Sequence, residues 1–199
     1  MRVQDVSDLR AAVRRPALAG VVAREALFLL AASMFLALTA RISVPLPFTP
    51  VPVTGQTLGV LLTGALYGPR RGAAAVLLYL AEGLAGAPVF AGGRAGLPVL
   101  LGPTGGYLAG FVPAAAVAGW LGTPRRPVWL RFGGILLATA VVYAVGVPWL
   151  AVVTGSPMPV AIANGLLPFL PGDTLKAAIA AGVAPAGALV LERFGLRPR

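Results

Sequence analysis

Asp173 and Lys176 are the residues whose types and spacing most readily do chemistry. They lie in the stretch Leu170-Pro171-Gly172-Asp173-Thr174-Leu175-Lys176, and no other charge falls between Arg131 and Glu192. Lys176 is the only lysine in the chain. Pro171 and Gly172 read as the end of a loop, Asp173 as an N-cap, and Thr174 as the first residue of a helix. Three positions apart on that helix, carboxylate and ammonium share a face and can meet each other or a common ligand. A charge in apolar surroundings is costly unless it is paired or used. Spacing alone leaves two roles open: a cap closed by a local ion pair, or a polar clamp on a ligand.

The composition names the solvent. Apolar residues make up 58% of the chain and charged residues 11%, with a net charge of +10. A water-soluble domain of this length needs far more polar surface than that. The chain reads as an all-α integral membrane protein, because a bilayer admits only helices and closed barrels and the alternation of a barrel is absent. There is no cysteine and no histidine, which removes disulfides, thiol chemistry, imidazole ligands and the commonest general base. The basic excess does not point to nucleic acid. Its arginines stand at the ends of apolar runs, as expected beside a cytoplasmic leaflet.

Six helices must position the pair. Residues 1–20 are mixed and basic (Arg2, Arg10, Arg14, Arg15) and read as a cytoplasmic tail, with residues 21–199 forming one membrane domain. The first span centres on Leu27–Ala40, where Ser33 and Ala37 form a small-xxx-small pair that lets another helix approach closely. Arg41 to Thr54 carries Pro45, Pro47, Pro50 and Pro52, which exclude a regular helix and favour a stiff extended loop. Further helices are expected over Gln56–Tyr67, Ala73–Leu84, Tyr107–Leu121 and Phe132–Val153, and from Asp173 to just before Glu192. A full span needs about 20 apolar residues. The second and third helices fall short of that, so irregular backbone must lie at membrane depth, where it is tolerated inside protein or beside a polar cavity.

The arginines orient the bundle. The tail, Arg70-Arg71, Arg125-Arg126 and the C-terminus are basic, whereas the other three loops carry only Arg41 and Arg94. Both termini are therefore expected in the cytoplasm. The Pro/Gly-rich loops and Asp173 then share the outer face.

Several stretches carry a resemblance: Pro45-Leu46-Pro47-Phe48-Thr49-Pro50-Val51-Pro52-Val53-Thr54, Gln56-Thr57, Gly68-Pro69-Arg70, Pro88-Val89-Phe90-Ala91, Leu101-Gly102-Pro103-Thr104-Gly105-Gly106-Tyr107, and Gly172-Asp173-Thr174-Leu175-Lys176. In this order and spacing the sequence resembles the BioY family, the biotin-binding S components of energy-coupling-factor (ECF) transporters, from about Leu27 to the C-terminus. The resemblance implies a six-helix bundle of the S-component type in a prokaryotic cell membrane, which captures biotin from the outer face. It also implies a transmembrane coupling protein and two ATP-binding cassette ATPases as partners, since no Walker-type sequence is present here. Asp173 and Lys176 match the family's binding aspartate and lysine. Phe48, Tyr107 or Leu175 would contact the fused rings, Gln56 would offer an amide, and Arg94 could meet the valerate carboxylate. The face bearing Ser33 and Ala37 would dock the coupling protein.

Two other classes of function compete with this reading. A proton-coupled carrier of some other small vitamin-like solute would use Glu82, Asp173 and Lys176 as a relay. The chain shows no evident inverted repeats and few ionisable positions for one. An intramembrane enzyme is rejected, since Ser7, Ser33, Ser43 and Ser156 have neither a histidine nor a nucleophile-elbow context. Glu82 is expected at the site's mouth or paired with an arginine, and Asn164 reads as a turn former.

Overall fold

The computed structural model describes residues 3–193, with side chains from residue 20 onward. The expected tail with its arginines, Ser7, Arg197 and Arg199 lie outside the described side chains. The elements are α1 (Val3–Arg41), a hairpin of β1 (Ser43–Leu46) and β2 (Thr49–Thr54), α2 (Gln56–Tyr67), α3 (Pro69–Leu84), α4 (Leu97–Leu101), α5 (Gly105–Leu121), α6 (Val128–Thr154), α7 (Met158–Gly165) and α8 (Leu170–Arg193). The all-α membrane class holds, but the helix count is not six. Six long helices are joined by α4 and α7, two short ones where only loops were expected. Each has proline in its first turn, where the missing N–H is no loss.

Other boundaries moved for the same reason. The corner expected over residues 68–72 shrinks to Gly68, held at φ +81°, because Pro69 starts α3 directly. Likewise α8 starts at Leu170 and takes Pro171 into its first turn. Asp173 is thus a first-turn acid rather than the N-cap, and still benefits from the helix dipole. The proline-rich segment is no simple loop either. It folds back as an antiparallel hairpin pairing Ser43 with Thr54 and Val44 with Val53, and an irregularity follows Val44. A two-stranded ribbon can carry prolines because each strand has an unpaired edge.

The interior is built from Leu36, Val60, Leu61, Val76, Ile135 and Leu150, with many alanines between them. Small residues set the helix spacing. A Cβ on Gly64 of α2 would come within 2.2 Å of the Ala115 carbonyl oxygen of α5, and one on Gly72 of α3 within 2.8 Å of Gly64. Outward faces are apolar too, with Leu27, Leu30, Met34 and Leu38 of α1 more than half exposed. The stretches Gly20–Arg41, Val128–Thr154 and Met158–Arg193 are each long and apolar enough to cross a membrane. By contrast α2, at 12 residues, is only about 18 Å long. The hairpin continues the chain from its start.

Charge gathers at one end. Arg71 at the start of α3 forms a two-pronged salt bridge with Glu25 of α1, and Gly119 near the end of α5 touches the Gly68–Pro69 corner. The hairpin, α4, α7 and the start of α8 lie at the other end.

Candidate ligand-binding site

Asp173 is buried where α8 begins, and both of its carboxylate oxygens are occupied. Lys176 Nζ donates to Oδ1 at 2.7 Å, and Tyr143 Oη of α6 donates to Oδ2 at 2.5 Å. The ion pair is mostly shielded from solvent, with side-chain exposures of 16% for Lys176 and 8% for Asp173. Such a pair is stable only if its remaining hydrogen-bonding capacity is used, and Tyr143 supplies part of that. A carboxylate accepts along about four lone-pair directions, so each oxygen can still take another donor.

The pair lines a part-enclosed cavity. Strand β2, the chain before α4, and helices α2, α5, α6 and α8 all contribute walls. Three more of the expected side chains meet there or at its rim. Gln56 is buried at the start of α2, and its Nε2 donates to Tyr79 Oη at 2.7 Å. Tyr79 in turn donates to the Val89 carbonyl at 2.9 Å, which ties the site to the loop after α3. The Tyr107 ring packs edge-on to Tyr143 with centroids 6.4 Å apart, and its hydroxyl donates to the Gly165 carbonyl at 2.8 Å. A Cβ on Gly146 would fall 2.5 Å from that ring, so glycine there lets the ring settle against α6. Arg94 is exposed at the rim, with Nε held by the Ala91 carbonyl at 3.1 Å.

Phe48 is a correction. It stands at the hairpin tip, 57% exposed, and does not line the cavity; Val51, Pro52 and Thr54 of β2 do so instead. Leu175 also faces outward, because the inward stripe of α8 runs through Asp173, Ala177 and Ala180. The apolar walls come from Phe90, Val99, Leu108, Phe111, Val142 and Phe169. Ser33 is a second correction: it is fully buried, its hydroxyl donating to Glu82, and Ala37 packs half-buried on the core. Ser33 thus serves a contact within the chain, against α3, and leaves no open surface there, whereas Ala37 keeps part of its surface. Glu82 accordingly lines no part of the cavity, and among the described residues its partner is Ser33 rather than an arginine. Asn164 lies near the end of α7, outside the cavity.

Tyr143 is the residue that the sequence reading missed. Its signal was a tyrosine in the middle of a long apolar helix, where the hydroxyl must find a buried partner. Among the described residues no cluster of three or more acidic, histidine or cysteine side chains could hold a metal.

The sequence model of the BioY family matches residues 10–193. The chain belongs to the BioY family. One relative, the biotin transporter BioY of Rhizobium etli, is 37% identical over 75% of this chain and 84% of its own length. Another, the biotin transporter BioY of Rhodobacter capsulatus, is 41% identical over 77% of this chain and 86% of its own. The fold superposes on a crystal structure of the S-component for biotin from an ECF-type ABC transporter with a TM-score of 0.77. That match has 28% identity and covers 84% of this chain and 92% of the other. A BioY member with this fold belongs among membrane transport proteins, not enzymes.

Proposed function

We propose that this chain is the substrate-binding membrane subunit for biotin uptake, an S component that captures biotin from outside and hands it inward. One observation carries the reading: Asp173, with Lys176 and Tyr143 on its two oxygens, faces a cavity whose other walls are largely apolar. Biotin offers a ureido group with two N–H donors and a carbonyl acceptor, a fused apolar ring system with a thioether, and a carboxylate tail. The free lone pairs of Asp173 suit the N–H donors. Lys176 can serve the ureido oxygen or the carboxylate, with Arg94 at the rim for the latter. Tyr107, Phe90, Phe111 and Phe169 suit the rings.

The subunit spans a prokaryotic cell membrane several times with both termini in the cytoplasm. Its energising partners are a transmembrane coupling protein and two ATP-binding cassette ATPases. The relatives' transport of biotin and the arginine-rich turns at the end away from the cavity support this arrangement. Calorimetry of the detergent-purified protein against biotin, thiamine and riboflavin tests the assignment. Saturable heat with biotin alone is expected; equal or stronger binding of another vitamin would overturn it.

A further inference from the structure

Two tryptophans mark a depth in the bundle. Trp120 stands near the end of α5 and Trp129 near the start of α6, and each is 68% exposed. An indole turned outward from a membrane helix settles at headgroup level, ring in apolar matter and N–H in water. At the same end the Gly68–Pro69 corner presses on α5 so closely that a Cβ on Gly119 would lie 2.4 Å from it. Beside this contact a crevice opens between the α2–α3 corner and the α5–α6 turn. Tyr67, Arg70, Arg71, Thr123 and Arg125 line it, with Leu66 on its apolar side.

The charge in this crevice is not balanced. Arg71 is taken up by Glu25, its Nε at 2.7 Å from one carboxylate oxygen and its terminal nitrogen on the other. Arg70 and Arg125 have no carboxylate partner among the described residues, and no acidic side chain lines the crevice. Two uncompensated guanidinium groups facing one opening at headgroup depth call for an anion with several oxygens.

We propose that this crevice binds the phosphodiester of an anionic phospholipid. Arg70 and Arg125 meet the phosphate oxygens, and the acyl chains leave along Leu66 into the bilayer. The outward indoles and the apolar side favour a lipid over a dissolved phosphate as the source. The site lies at the end of the bundle away from Asp173 and does not depend on what that cavity binds. It rests only on the helices crossing a bilayer, in whichever leaflet this end sits.

Thermal unfolding of the detergent-purified protein, titrated with phosphatidylglycerol, tests the site. The lipid should raise the melting temperature saturably, whereas phosphatidylcholine and inorganic phosphate should not. The double variant R70Q/R125Q should weaken the phosphatidylglycerol midpoint at least about tenfold. R24Q/R126Q removes two charges from the same end but outside the crevice, and should leave the midpoint within about twofold. Native mass spectrometry of the same samples, checked for a cooperative melting transition, counts bound lipid directly, so a less stable variant cannot disguise lost binding. Equal weakening in both double variants would mean diffuse attraction and overturn the site. So would a wild-type protein indifferent to phosphatidylglycerol, or one for which inorganic phosphate does as well.

Discussion

Asp173 accepts a hydrogen bond on each oxygen from within the protein, which orders it at the cost of a desolvated charge. A charge-assisted hydrogen bond is worth about 1.5–3 kcal/mol, and more when its loss strands a buried charge. Asp173→Asn and Lys176→Met are each expected to weaken biotin binding at least about tenfold, a decade being about 1.4 kcal/mol. Melting temperature and dissociation constant, measured on the same variants, separate this from a purely structural role; unchanged affinity in both would move the site elsewhere. Tyr143→Phe should cost several-fold to tenfold in affinity through the lost donor to Asp173, about 1 kcal/mol. Because Tyr143 acts through that carboxylate, the loss should vanish in the Asp173→Asn background. If instead the two losses add, the tyrosine contributes by packing alone.

The helices show a second use of a lone cation. Pro185 lies inside α8 and lacks the N–H that would bind the Ala181 carbonyl four residues earlier. Arg131 of α6, itself buried, fills that vacancy. Its Nε donates to Ala181 at 2.5 Å, while Nη1 reaches the carbonyls of Arg126 at 3.1 Å and Pro124 at 3.3 Å. One guanidinium thus pins α8 to α6 and closes the α5–α6 turn. Arg131→Met should lower stability by about 2 kcal/mol or more, read as a fall in melting temperature. Pro185→Ala restores the backbone donor, and should therefore stabilise the Arg131→Met protein more than it stabilises the wild type. An equal effect in both backgrounds would show that the guanidinium does not serve that carbonyl.

Across the whole molecule, polarity is sorted along the bundle axis. The basic corners at Arg70-Arg71 and Arg125-Arg126 stand at one end, and the cavity with Asp173 at the other. With no native cysteine, single thiols can report sidedness. Ser156→Cys, between α6 and α7, should react with an impermeant thiol reagent added outside intact cells. Arg125→Cys, exposed in the opposite turn, should react only after permeabilisation. The reverse pattern would invert the bundle and place the cavity on the cytoplasmic side.

The sequence by itself determined the solvent, the helical class and the polar pair, because these depend on composition, local periodicity and nearest neighbours along the chain. The limits of α2 and the inward turn of Asp173 and Lys176 on one face were legible for that reason. Gln56, Arg94 and Tyr107, the last as a ring contact, were expected near the pair only through the family resemblance and the ligand it implies. Which partner each small or aromatic residue would meet was a question of tertiary packing. Ser33 looked like part of a docking face until Glu82 of α3 closed on it. Phe48 looked like a ring contact until the prolines folded into a hairpin that carried it to the tip. Tyr143 gained its role only when α6 crossed α8 at Asp173. A helix or strand sets the direction of a side chain relative to its neighbours, but the element that arrives on that side comes from elsewhere in the chain.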